Sequence, residues 1–277
     1  MSTLAAEVSG FPDLLRYWRG FRRLSQLDLA VNADVSQRHV SFLESGRSKP
    51  SRDMVLQLAE SLELPLRERN RMLGAAGFAA VYAANPLSDA DMAPVKKALD
   101  LILTHHEPFP AVLVDANWKM LQPNAALLRL FSLIGDIGQI WANIAPQEPP
   151  NVFKLTFHPQ GLRPYIRNFE EIAPVMINRT FREAHEHPQL LALLEEVLSY
   201  PDTPSRWKTP DLSAHLPPVM NMELCAAGHT ISLFSTITTF GTAQDITTDE
   251  LRVESFFPGD SASETLLRAL ADGSLKR

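Results

Sequence analysis

Between Ser25 and Ser51 the chain reads SQLDLAVNADVSQRHVSFLESGRSKPS, and the spacing of its apolar residues leaves few folds open. Ser25 can cap a helix of Gln26 to Ala33, with Leu27, Leu29 and Ala30 available for burial; the small Ala30 lets a second helix approach closely. Asp34 stands where the chain must turn sharply, and a short side chain that bonds its own backbone tolerates positive φ better than most. Val35 plugs the turn. Ser36 then caps SQRHVSFLES, in which Val40 and Leu43 face inward while Gln37, Arg38, His39, Ser41 and Phe42 are left outside, and Gly46 can end it in a left-handed conformation.

These residues resemble the phage-repressor-like (Xre-type) helix-turn-helix, S-Q-x-x-L-A-x-x-A-G-V-S-x-x-x-I-S-x-x-E-x-G-x-x-x-P-S, with Asp34 where Gly is usual and Val40 where Ile is common. The resemblance implies a five-helix domain over roughly residues 10 to 80. It also implies that Gln26 contacts the DNA backbone and Gln37 a base edge, with Arg38, His39 and Ser41 in the major groove and Arg47 and Lys49 flanking phosphates; Ser36, which caps the second helix, is counted with these DNA-binding residues. Side-chain chemistry agrees: Gln37 can pair bidentately with adenine and Arg38 with guanine, each good pair contributing about 1–3 kcal/mol of discrimination. The competing reading is a helical hairpin whose outer residues are merely solvated. Phe42 either touches a thymine methyl or packs beneath the Gly46 loop.

The net charge of −6 argues against nucleic acid until it is divided. Residues 1–84 carry 11 Lys and Arg against 9 Asp and Glu, whereas the remainder carries 15 against 23, so a polyanion suits the first part alone. Arg16, Arg19, Arg22, Arg23, Arg38, Arg47, Lys49 and Arg52 surround the helix pair as a local phosphate footprint. With so small a net positive charge one copy should bind DNA weakly, which predicts a homodimer on a palindromic double-stranded operator.

The 277 residues suffice for two cores, and 45% hydrophobic with 21% charged residues is ordinary for a globular protein. No basic stretch followed by an apolar one opens the chain and no long apolar run follows, so a cytoplasmic protein without a membrane span is expected. The lone Cys225 excludes an internal disulfide and reads as a small core residue in a strand. Two more helices are expected at Met54 to Leu62 and Pro65 to Ala76, with Phe78 and Tyr82 folding back on the domain. The expected division is 1–84 for the helix-turn-helix domain, 85–94 for a turn-rich acidic linker, NPLSDADMAP, and 95–277 for a second domain.

That second domain should open with a helix from Val95 to Thr104. Then come a strand at Ala111 to Val114, a turn at Asp115 to Asn117, a strand through Trp118, Met120 and Gln122, and a helix capped by Asn124. A second hairpin is expected from Val219–Ala226 and Thr230–Thr239, and a fifth strand from Leu251 to Phe257. Five strands fit a PAS-like antiparallel sheet. A helical insertion separates its halves, where Ile166, Phe169, Ile172, Ala173, Met176, Ile177, Thr180 and Phe181 form a broad apolar face that Pro174 should kink, and Leu190 to Leu198 form a further amphipathic helix.

The order of parts resembles the MmyB-like regulators, in which an Xre-type head precedes a PAS-like ligand-binding domain. The matching residues include Trp118 to Ala126, the F-H-P-x-G stretch Phe157 to Gly161 with Arg163, Tyr165 and Phe169-Glu170, Arg206-Trp207, and the closing PGDSASETLLRAL. Phe169 stands where that family usually has Trp, and LPPVMNMEL lacks the usual Gly before its strand. The resemblance implies a transcriptional regulator that senses a small buried apolar ligand, a fatty acid or similar acyl chain, with no other cofactor.

A pocket for such a tail needs large apolar walls, for which Trp118, Met120, Phe131, Trp141, Phe153, Phe157, Met176, Phe181, Met222 and Leu233 are the candidates, each with ordinary core packing as its alternative. Arg163, Arg179 or Arg206 could pair with a carboxylate. Neither His105–His106 nor His185–His187 has a spacing that converges on a metal, and neither a nucleophile elbow nor a glycine-rich phosphate loop occurs, so no catalytic or metal residues are expected. Two readings stay open: a ligand-responsive transcription factor, and a DNA-binding protein whose second domain serves dimerisation or a protein partner without a small ligand.

Overall fold

The structure, a computed structural model, describes residues 10–209 and 219–275. Expectations that fall on residues 1–9, on Leu216 to Pro218 of the LPPVMNMEL stretch, or on 276–277 lie outside it. The chain divides into two compact units, the first gathering residues 1–85, 185–188 and 242–249 and the second residues 86–184, 189–241 and 250–277.

Five helices build the first unit: α1 (Phe11–Phe21), α2 (Gln26–Asn32), α3 (Gln37–Glu44), α4 (Arg52–Ser61) and α5 (Leu66–Ala75). Ser25 and Asp28 close a capping box on α2, and the Ser36 and Ser51 hydroxyls accept the His39 and Met54 N–H groups at the starts of α3 and α4. The turn between α2 and α3 has Asp34 at φ +47°, and Val35 N–H donates to the Ala30 carbonyl at 2.9 Å. Leu14, Trp18, Leu29, Val40, Leu43, Val55, Leu58 and Leu73 fill the core, all with no exposed surface. Asn70 holds the following chain in place by accepting from Val81 and Tyr82 N–H and donating to the Tyr82 carbonyl.

The second unit carries a five-stranded antiparallel sheet of order β2-β1-β5-β4-β3, from β1 (Ala111–Val114), β2 (Met120–Pro123), β3 (Met222–Ala226), β4 (His229–Thr238) and β5 (Arg252–Pro258). Its helices are α6 (Ala93–His105), α7 (Ala125–Ser132), α8 (Ile137–Ile144), α9 (Val152–Phe157), α10 (Phe169–Glu183), α11 (Leu190–Leu198) and α13 (Ser261–Ala271), whereas α12 (Ile246–Glu250) falls, but for its last residue, in the first unit. Strand alternation gives the sheet two apolar faces: Ala111, Leu113 and Val253 pack with Leu99 and Leu103 of α6, whereas Val112, Val114, Leu224, Ile231 and Leu233 face the inserted helices. Within the acidic stretch after Asn85 a 3₁₀ turn forms at Ala90–Met92, capped by Asp89, and Met92 is buried.

Two differences from the sequence reading are local. Trp118 does not lead the second strand but sits in the turn before it at φ +63°, because Asp115 Oδ1 accepts from both Asn117 and Lys119 N–H and closes the turn one residue later. Cys225 lies in β3 as expected but is only half-buried, its Sγ 3.5 Å from Thr230 Oγ1. Among the described residues no single helix is long and apolar enough to cross a membrane.

Candidate DNA-binding surface and ligand cavity

On α3 the side chains of Ser36, Gln37 and Arg38 are exposed and those of His39 and Ser41 half-exposed, while Val40 and Leu43 anchor the opposite face in the core. The polar residues therefore share one outer surface with Arg47 and Lys49 in the exposed loop that follows. Phe42 joins the two parts. Its carbonyl accepts from Arg47 and Ser48 N–H, and its half-buried ring has the Arg38 and Arg47 guanidiniums 5.1 and 6.0 Å from its centre. The ring thus engages both cations before anything binds them.

The phosphate footprint is narrower than the sequence suggested. Arg19 donates through Nε and Nη2 to the buried Glu44 carboxylate at 2.6 and 3.0 Å, and Arg16 to Asp13 and the Glu44 carbonyl. Arg22 donates to the Leu62 and Glu63 carbonyls, each at 2.8 Å. Arg19 and Arg22 are thus spent inside the fold, whereas Arg16, though bonded, stays exposed, as do Arg23, Arg38, Arg47, Lys49 and Arg52. Gln26 is similarly engaged: its Nε2 donates to Glu44 Oε2 at 2.7 Å. A lone glutamate in an otherwise cationic neighbourhood, as Glu44 is, was the sequence signal for this internal use.

Within the second unit the inserted helices and the sheet enclose a cavity of about 370 Å³, inside the roughly 300–1,000 Å³ range of small-molecule sites. Helix α10 presents Ile172, Val175, Met176, Arg179 and Thr180 to it, a run of steps of three, four, seven and eight that marks one helix face. Of the proposed wall residues, Trp118, Phe131, Phe153, Met176, Met222 and Leu233 line this space. Met120, Trp141, Phe157 and Phe181 do not. Phe181 follows Thr180 and so points a further ~100° around the helix. Trp141 is held away by its indole N–H, which donates to the Glu148 carbonyl at 2.8 Å. Phe157 belongs to an aromatic chain running Trp118, Phe153, Phe157, Phe169 and Trp207, with ring centres 4.6 to 6.2 Å apart.

The signature stretches act by building these walls. A side chain at Gly161 would meet the Leu155 carbonyl oxygen at 2.1 Å, so that turn requires glycine, whereas one at Gly259 would meet only the side chains of Ser232 and Asn221, which would have to shift. Arg163 donates to the Pro201 and Asp202 carbonyls, and Arg206 pairs with exposed Glu170, so neither is a cavity group. Arg179 is, and so is Glu254, which sequence reading passed over although it lies between Val253 and Phe256 in an apolar strand.

Glu254 is buried, with Oε1 accepting from Ser235 Oγ at 2.8 Å, and burial raises its carboxyl above the ordinary range against the opposing pull of Ser235 and Arg179. Burial also raises Glu183, but the Arg252 and Arg179 guanidiniums, bonded to it at 2.7 and 2.8 Å, outweigh that and hold it below. Elsewhere, Lys154 is 8% exposed and donates to Glu148 and Glu196 at 2.6 and 2.8 Å, which marks it as an internal tie. Among the described residues no cluster of His, Cys, Asp or Glu is placed to hold a metal.

A model of the MmyB-like transcription regulator ligand binding domain matches residues 95–270, and a helix-turn-helix model matches residues 15–69. Comparison with curated proteins gave no match. A solved RNA-binding Light-Oxygen-Voltage receptor is similar at 11% identity over 98% of this chain, with a TM-score of 0.26; the chain spans 64% of that receptor's length.

Proposed function

The chain belongs to the MmyB-like transcription regulators, joining a DNA-binding helix-turn-helix to a ligand-binding domain, and from that premise we propose that it reads a palindromic operator as a homodimer in the cytoplasm and responds to an acyl ligand such as a fatty acid. Gln37, Arg38, His39 and Ser41 meet base edges in the major groove, and Ser36, Arg47 and Lys49 approach phosphates. Gln26 contributes through the part of its amide that Glu44 leaves free. Six apolar residues, Trp118, Phe131, Phe153, Met176, Met222 and Leu233, hold the acyl chain. The protein acts by binding and not by catalysis.

The observation that carries this reading is the largely apolar cavity, partly open to solvent, within the matched ligand-binding domain. A second domain that served dimerisation alone would have no need of such a space, since native interiors pack to crystal-like density. Mass spectrometry of an organic extract from the natively purified full chain tests it. Stoichiometric acyl chain is expected; a clean extract from a protein that also fails to take up added dodecanoic acid would favour the dimerisation reading.

A further inference from the structure

Phe42 is a large apolar side chain that the core of the first unit does not use. It is half-buried, yet it is not among the residues packed against the cluster that Val40 and Leu43 of the same helix enter. Its register explains what it meets instead. Arg38 stands one turn earlier on the same face of α3, and aromatic side chains of a helix lean toward its N-terminus. After the helix, Gly46 at φ +71° reverses the chain, and the Phe42 carbonyl accepts from Arg47 and Ser48 N–H at 2.9 and 3.2 Å and from Ser45 Oγ at 3.3 Å. The ring therefore meets one cation from α3 and one from the loop that follows, with the guanidinium carbons 5.1 and 6.0 Å from its centre.

The kind of contact matters. Arg19, Arg22 and Arg69 of the same unit donate to carboxylate or carbonyl oxygens, which takes up their N–H groups. Among the described residues the Phe42 ring is the sole partner of Arg38 and of Arg47. An aromatic ring attracts a cation without cancelling its charge, so both guanidiniums keep that charge and their N–H donors for a nucleic acid. Binding also costs an arginine its rotamer freedom, and a partner in the free protein has met part of that cost in advance. A carboxylate at this position would order the same two side chains but compete with phosphate for them.

Resting on the reading of Arg38 as a base contact and Arg47 as a phosphate contact, we infer that Phe42 is a positioning residue for operator recognition. It holds the two guanidiniums ordered, charged and with their donors free, and the selectivity of Arg38 for its base depends on it. In this role the ring itself touches neither base nor phosphate, which separates it from a thymine-methyl contact. On the operator both side chains gain from being ordered beforehand. On unrelated DNA only Arg47 does, because every sequence offers phosphates whereas the base partner of Arg38 is missing. The ring thus raises discrimination as well as affinity.

Anisotropy titrations of the full chain on a selected operator and on scrambled DNA, with Phe42→Leu and Phe42→Tyr, test this. Phe42→Leu keeps every charge and the backbone bonds of the loop, and its thermal midpoint should stay close to that of the parent. Its affinity should fall about ninefold per bound copy on the operator and about threefold on scrambled DNA, roughly threefold for each side chain left unordered. The salt slope should not change, since no cation is removed. Phe42→Tyr, which keeps the ring, should bind as the parent does. With Arg38→Ala and Arg47→Ala both in place, Phe42→Leu should cost nothing further. A loss in that background as large as in the parent would show the ring acting on DNA or on the fold directly, and would overturn the positioning role. So would a Phe42→Leu chain that binds and discriminates like the parent. Both outcomes leave the operator reading standing, whereas a parent chain that prefers no duplex over another overturns that reading and this role together.

Discussion

Arg19 of α1 meets Glu44 at the end of α3 through two donors, at 2.6 and 3.0 Å, in a pair where the carboxylate side chain is 4% and the guanidinium 17% exposed. Gln26 of α2 donates to the same carboxylate. One glutamate thus ties the first three helices together and fixes the angle at which α3 presents Gln37 and Arg38. Glu44→Ala leaves a nearly buried cation without its partner and should destabilise the first unit by about 3 kcal/mol. Urea unfolding followed by far-ultraviolet circular dichroism checks this, and an unchanged midpoint would contradict it.

Arg38 and Arg47 both lie against the ring of Phe42 yet are assigned different tasks. Arg38→Ala should relax base preference at one position of each half-site, with about 1–3 kcal/mol of discrimination lost there. Arg47→Ala should weaken all sequences alike and reduce the salt slope by about 1. Anisotropy titrations on a selected operator and on scrambled DNA at several salt concentrations separate the two. Equal losses on every sequence for both variants would refute the assignment.

The helical head was legible because its determinants are local: a serine at each of three helix starts, Asp34 in the turn, and apolar residues at helical spacing that the core then uses. Strand β5 and the hairpin of β3 and β4 were legible for the same reason. What sequence could not supply was direction around an element once several faces were apolar. On α10 the apolar stripe was correctly seen, but only the packed sheet shows that Met176 faces the cavity and Phe181 turns away. Long-range pairing was hidden too: nothing near Arg19 in sequence announces Glu44, and nothing near Glu254 announces Ser235 or Arg179.

Glu254 gives the second unit a pH signature. Its folded carboxyl holds a proton more tightly than the ordinary value of 4.5, because burial disfavours the anion. The associated stability is present below that ordinary value and is lost as pH rises through the raised one. Glu254→Gln removes the titration, so thermal unfolding of the ligand-free variant should gain on the parent protein as pH climbs from 4.5 to 8. A gap between the two that is independent of pH would show that Glu254 ionises freely in the fold.

Filling the cavity should separate ligand uptake from folding. Met176 projects from α10 into the space, and Met176→Trp adds volume there at an expected cost of about 1–3 kcal/mol from strained packing. Thermal unfolding should remain cooperative while dodecanoic acid binding is lost. Retained binding would mean that the acyl chain lies elsewhere.

Occupancy alone would not make this protein a sensor, because a ligand with equal affinity for the DNA-competent and incompetent forms shifts nothing. The direct measurement is the affinity of the full chain for its selected operator, by fluorescence anisotropy, in the delipidated and dodecanoate-saturated forms at one fixed salt concentration. A difference of about fivefold or more is expected, the lower end of ordinary allosteric coupling. Identical operator affinity in both forms, with the cavity shown to be full, would contradict it.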